Sequence, residues 1–167
     1  MKIIKYILKY GIDPNLKDGF SQTPLHIALN YSLCDISSAL INNEEYEFSC
    51  DIEGNTEYHK WISHNCLKCL NLLMNRQPIY NLKNNKQNNP LHLSVIENNI
   101  EALRLLMENC QLNLEDEGEN KLNLIQLACF YSDLVIMTLY FKENKSNFLI
   151  LIQNHFMRFI QIISASF

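Results

Sequence analysis

Thr23-Pro24-Leu25-His26-Ile27-Ala28 decides the reading, because the chain repeats it. Thirty-three residues later stands Thr56-Glu57-Tyr58-His59, and after another thirty-three Asn89-Pro90-Leu91-His92-Leu93-Ser94. A weaker copy, Asn123-Leu124-Ile125-Gln126-Leu127-Ala128, follows after thirty-four. The extra residue falls in the acidic run Glu115-Asp116-Glu117-Gly118-Glu119-Asn120, where a loop would absorb it. Self-similarity at such a period marks a repeat architecture, in which each unit is one small supersecondary element.

The second half of each unit recurs at a constant offset. Ile36-Ser37-Ser38-Ala39-Leu40-Ile41, Cys69-Leu70-Asn71-Leu72-Leu73-Met74, Ala102-Leu103-Arg104-Leu105-Leu106-Met107 and Ile136-Met137-Thr138-Leu139-Tyr140-Phe141 all read as apolar helices. Projected backwards, the offset predicts one more, and Ile3-Ile4-Lys5-Tyr6-Ile7-Leu8 stands there. Pro24 and Pro90 suit a first helical turn, where a missing N–H does no harm, with Thr23 and Asn89 as N-caps. Gly11 stands where the leading helix should stop in a left-handed cap. Gly19 and Gly54 fall in the turns before the next box. A single helix pair is too small to bury its own apolar face, so side-by-side stacking is required.

These residues resemble the ankyrin repeat, whose pattern has a TPLH-A box, an LLL helix and a G-A-D-x-N turn. The resemblance implies an all-α, ankyrin-repeat solenoid of stacked helix-turn-helix units with hairpin-like loops. The organisation expected is a partial repeat over 1–15, contributing a second helix only, then four repeats over 16–147 (16–48, 49–81, 82–115 and 116–147). An apolar C-terminal tail or capping helix would occupy 148–167. Several departures predict a loosened stack. Thr56-Glu57-Tyr58-His59-Lys60-Trp61 lacks the proline and places Trp where Ala is usual, and Pro78 stands where Ala is common. Glu44-Glu45-Tyr46-Glu47 replaces the Gly-Ala-Asp turn, and the last unit has lost Thr, Pro and His together.

Composition sets the class. Apolar residues make up 47% of 167 and charged residues 19%, a globular balance. A net charge of -4 gives no basic stripe for a phosphate backbone, so nucleic acid is not an expected partner. No signal peptide is read at the start, since lysines interrupt Met1-Lys2-Ile3-Ile4-Lys5. The six cysteines, Cys34, Cys50, Cys66, Cys69, Cys110 and Cys129, are therefore read as reduced thiols of an intracellular, cytoplasmic protein. Nuclear location, or membrane association through a longer parent chain, stays open. In the tail, Gln153, Asn154, His155 and Arg158 sit mid-segment, which argues for a packed terminal helix or a disordered end rather than a membrane span.

No phosphate loop, nucleophile elbow, paired carboxylates or HExxH stretch occurs, so no enzyme, cofactor or metal is expected. The acidic run lacks the alternating ligands of a calcium loop. Cys66-Leu67-Lys68-Cys69, with His59 and His64 near, invites a zinc reading. A knuckle needs a turn between its ligands, however, whereas the repeat places helix here. The resemblance makes Thr23, Pro24, His26, Thr56, His59, Pro90 and His92 structural, the imidazoles sharing hydrogen bonds with the cap and neighbouring backbone. It also implies a non-catalytic protein-binding function through a concave face of hairpin tips and first helices. On that face the candidates are Lys17, Phe20, Tyr31, Asp51, Glu53, Lys83, Lys86, Asp116, Glu117 and Tyr131. Two finer readings are an inhibitor resembling the ankyrin inhibitors of Rel-type transcription factors, and a piece of a channel's cytoplasmic array. Leu112 to Asn120 is similar to the arrays of ankyrin-type transient receptor potential channels.

Overall fold

The computed structural model describes residues 2–62, 66–76, 81–109 and 116–131. The helix expected at 136–141, the tail 148–167, His64, Pro78 and Cys110 lie outside the described residues. In chain order come α1 (Lys2–Lys9), α2 (Pro24–Asn30), α3 (Cys34–Ile41), α4 (Glu57–Ile62), α5 (Leu67–Arg76), α6 (Pro90–Ile96) and α7 (Ile100–Asn109). A 3-10 turn over Glu119–Lys121 then leads into α8 (Leu124–Phe130). Helix α2 packs on α4, α4 on α6 and α6 on α8, giving one layer, while α1, α3 and α5 pack in succession as the other. Pairs α2/α3, α4/α5 and α6/α7 cross between the layers. No strand occurs among the described residues; a single antiparallel bridge joins Cys50 to Thr56 at the base of one hairpin.

Local chemistry fixes where each first helix begins and ends. Thr23 and Asn89 cap α2 and α6 with a prolyl residue directly after them. Each cap closes a reciprocal box, its side chain accepting the His amide while the imidazole accepts the cap amide. Both helices end the same way. Ser32 (φ 55°) and Asn98 (φ 52°) take the left-handed conformation. The next amides reach back five residues, Leu33 to the Ala28 carbonyl at 2.8 Å and Asn99 to that of Ser94 at 2.7 Å. This is a Schellman-type stop built without glycine. Gly11 ends α1 with φ 76°, its amide on the Leu8 carbonyl.

Stacking makes the core continuous from unit to unit. Leu25, Leu29 and Ile41 of one pair meet Tyr58, Trp61, Ile62, Leu70 and Leu73 of the next, and Leu91, Val95, Leu103 and Leu106 continue it. Among the described residues, the Trp61 departure leaves the second unit closed. Trp61 is wholly buried, and its indole N–H donates to the Cys66 carbonyl at 2.7 Å, so the polar tip that burial would orphan is satisfied. A turn forms before 44–47 even without the Gly-Ala-Asp pattern. Asn43 Oδ1 accepts the Glu45 amide at 2.9 Å, and Asn15 clamps the segment by donating to the Glu45 carbonyl and accepting from the Glu47 amide. The Arg76 guanidinium lies 5.7 Å from the centre of the Tyr46 ring, covering it from the following unit.

Candidate functional site: the hairpin face

The face that the fold offers to solvent is set by the hairpins, and three of them are each set by one short polar side chain. Asp18 Oδ1 accepts from the amides of Phe20 and Gln22, Asp51 Oδ1 from Glu53 and Asn55, and Asn84 Oδ1 from Lys86 and Asn88. These three residues are one repeat apart, and each oxygen folds its own backbone into a turn. Three residues after each comes a left-handed position: Ser21 (φ 57°), Gly54 (φ 74°) and Gln87 (φ 64°). Gly118 takes the anchor's place in the fourth hairpin, and there two successive residues, Asn120 and Lys121, are left-handed. A Cβ on Gly118 would fall 2.7 Å from Asn88 Oδ1 and 2.8 Å from His92 Cδ2, so an Asp or Asn like those of the other hairpins does not fit.

Neighbouring hairpins are tied in register. The Ile52 amide donates to the Phe20 carbonyl at 3.0 Å, and the Asn85 amide to that of Glu53 at 2.9 Å. Lys17 Nζ reaches the Cys50 carbonyl at 3.3 Å and Lys83 Nζ the Glu117 carbonyl at 2.8 Å. Beneath them run the box imidazoles. His26 Nε2 meets the Asn55 carbonyl at 3.2 Å, His59 Nε2 that of Asn88 at 2.9 Å, and His92 Nε2 that of Asp116 at 2.8 Å. A carbonyl only accepts, so each Nε2 carries the proton and each Nδ1 accepts from its cap residue. Burial pushes His26 down to about 4, and it lowers His59 and His92 too, against the pull of those same carbonyls. The imidazoles are thus neutral struts at physiological pH and not general bases.

The candidate residues divide cleanly. Phe20 and Tyr31 are exposed at 64% and 73%, while Lys17, Glu53, Lys83, Lys86 and Glu117 ring the hairpin tips. Tyr131 stands at the far end, edge-on to Phe130. Asp116 is half-buried, its carbonyl committed to His92. Asp51 departs from the expectation. It is buried rather than displayed, one carboxylate oxygen holding the turn and the other 2.8 Å from Lys60 Nζ. Burial would raise its pKa, but Lys60 and the Asn55 and Glu53 amides outweigh that and hold it below the ordinary carboxylate value. Between the hairpins and the first helices runs a groove lined by Asn30, Glu53, Lys60, Asn85, Lys86, Leu93 and Glu97 among others, and Ile52 opens onto it.

Two features escaped the sequence reading. Gln126 stands in for the lost histidine, its Oε1 accepting the Asn123 amide at 2.9 Å while Asn123 Oδ1 accepts the Gln126 amide at 3.0 Å. The capping-box pattern, a short polar residue with Gln three positions on, was the available signal. Glu57, at the missing proline's position, is wholly buried; its Oε1 accepts the Ser49 amide at 3.0 Å and its Oε2 finds no partner among the described residues. Burial pushes that carboxyl up to about 7, only partly offset by backbone amides, the nearby Tyr46 hydroxyl and the charge of Lys17. The premise that helix separates the two cysteines of Cys66-Leu67-Lys68-Cys69 also needs correcting. Cys66 precedes α5 and Cys69 lies in its first turn, so the pair wraps a helix N-terminus.

Helix pairs laid in two layers, each box imidazole reaching the following hairpin, define a helical-repeat solenoid. The chain belongs to the ankyrin repeat family: the pattern described as ankyrin repeats (3 copies) matches residues 1–84 and 35–117. Such repeats are non-catalytic modules for protein interaction. The chain is similar to an ankyrin repeat protein of fowlpox virus (strain NVSL), 31% identical over 121 residues, covering 69% of this chain and 16% of the viral protein. It is also similar to the Homo sapiens transient receptor potential cation channel subfamily A member 1, 26% identical over 107 residues, covering 63% of this chain and 10% of the channel. Its fold is similar to that of the ankyrin repeat domain of Bcl-3, a unique member of the IkappaB protein family, with a TM-score of 0.76 and 19% identity over 86% of this chain and 64% of that one. At that identity the likeness shows the fold alone. The chain spans only a small part of either sequence relative. Among the described residues, no helix is long and apolar enough to cross a membrane.

Proposed function

We propose that the chain binds a partner protein along the hairpin face, with units divided at 16–48, 49–81, 82–115 and 116–147. The registered row of hairpins carries this reading, because it presents side chains from separate units as one rigid edge. Phe20, Ile52 and Tyr31 supply exposed apolar anchors at one end. Toward the other, Lys83 and Lys86 beside Glu117 give a mixed-charge stretch that selects partners and speeds their approach.

A photo-crosslinking residue placed at Phe20 or Lys86 tests it, against the same residue at Glu101 on α7, where Glu101 is engaged by Arg104 on the opposite layer. Adducts to one discrete protein from the hairpin positions alone support the reading; equal adducts from Glu101 refute it. The coverage of the two sequence relatives favours a second reading, in which the chain is part of a longer array such as that of the channel. Sequencing the full transcript distinguishes the two.

A further inference from the structure

Away from the hairpins, the second-helix layer brings three cysteines together. Cys34 opens α3 and Cys66 and Cys69 straddle the start of α5, so the N-termini of two packed helices converge on one point. The three sulfur atoms all lie within 4.8 Å of one another. We propose that Cys34, Cys66 and Cys69 form a three-thiolate site for a thiophilic d10 metal ion, zinc(II) or copper(I).

The spacing suits an ion at the centre. With metal–sulfur bonds of roughly 2.3 Å, thiolates around one ion sit about 3.8–4.0 Å apart, so small side-chain rotations close the set. A disulfide would bring one pair to about 2 Å and strand the third sulfur. The scaffold is also held in place. The Cys66 carbonyl accepts the Trp61 indole N–H at 2.7 Å and the amides of Cys69 and Leu70 at 2.9 and 3.1 Å. Ser38 Oγ donates to the Cys34 carbonyl at 2.7 Å and touches Cys69 Sγ at 3.8 Å, an outer contact of the kind that orients ligands. Cys69 is wholly buried, whereas Cys34 is half-exposed in an open cleft with Ser32, Leu33, Asp35 and Ile36, which gives an ion a way in.

Burial pushes the Cys69 thiol up to about 12, and Cys34 is raised by its contact with Cys66 and by burial. Cys66 is lowered, because contacts from Cys34 and Cys69 outweigh its own burial. A bound metal ion displaces all three thiol protons and holds the thiolates, helped by the positive ends of both helices. Copper(I) is satisfied by the three sulfurs alone; zinc(II) takes a water from the Cys34 side as its fourth ligand.

The test uses the reduced full chain, titrated anaerobically with cobalt(II) as the stand-in for zinc and, separately, with copper(I) against a chromogenic chelator. One equivalent should bind, with a thiolate-to-cobalt charge-transfer band in the zinc arm or stoichiometric withdrawal from the chelator in the copper arm. The fluorescence of Trp61, the sole tryptophan, should be quenched in step. Cys34→Ser and, independently, Cys66→Ser should abolish the signal while keeping the helical circular dichroism. A triple Cys50→Ser, Cys110→Ser, Cys129→Ser variant should keep it. Failure of both metals to bind stoichiometrically, a signal that survives Cys34→Ser, or a disulfide within the trio in anaerobically prepared protein overturns the proposal.

Discussion

Replacing Glu57 with Gln isolates a single buried carboxyl. Glu57 is wholly enclosed, and Gln keeps the amide oxygen that accepts the Ser49 N–H while losing the ability to ionise. In the folded chain burial lifts the carboxyl from 4.5 to about 7, so the native state keeps its proton after the unfolded chain has released it. The Glu57 contribution to stability therefore falls as pH rises from about 4.5 to about 7, and it stays down above that. At 1.36 kcal/mol per unit the loss is about 3 kcal/mol, absent from the variant. Urea unfolding followed by Trp61 fluorescence, at intervals from pH 4.5 to 8, measures the difference between Glu57→Gln and the parent. That difference should grow in favour of Gln by about 3 kcal/mol across the window, with the histidine contributions cancelling. A difference independent of pH, or one that moves toward the parent as pH rises, refutes the assignment.

The box histidines carry the opposite sign. His26 falls from 6.5 to about 4 on burial and His59 and His92 are lowered, so the stability they give is complete above pH 6.5 and is lost on acidification. His92→Gln, copying the Gln126 box, should flatten part of the acid limb in thermal melts between pH 4 and 7. Gly118→Asn, which makes the fourth hairpin match the anchor of the others, should destabilise by roughly 1–3 kcal/mol, because the new Cβ meets Asn88 and His92; a more stable variant in chemical unfolding would contradict the close approach. Leu106→Ala, deep between the layers, should lose roughly 2–5 kcal/mol, whereas Lys86→Ala at an exposed hairpin tip should leave the melting temperature nearly unchanged.

Much of this was legible because the repeat writes the same instruction several times. Thr23 to Ala28 and its copies name the capped helix starts, and the recurring Leu70, Leu103 and Leu106 mark the apolar side of the second helices. What the pattern hides is how adjacent units share groups. Asp51 reads as a charged loop residue, yet its oxygens are consumed by local amides and by Lys60, nine positions on within α4. Trp61 reads as an intruder until the Cys66 carbonyl is seen waiting for its N–H. Cys34 and Cys69 are thirty-five positions apart, and only the packing of α3 on α5 brings their sulfurs together. The glycine signal also misleads. Of the left-handed turn positions Ser21, Gly54 and Gln87, only one is glycine, since local hydrogen bonds impose the conformation on the other two.

The imidazole struts decide how such a chain can be cut and rejoined. His26 and His59 each reach a carbonyl twenty-nine positions ahead, so excising residues 56–88 would leave the first strut whole and set the Asn89 box directly behind it. His92 reaches only twenty-four ahead, to Asp116. The earlier junctions are therefore interchangeable parts, free to be duplicated or dropped, while the last is a keyed joint that accepts only its own hairpin.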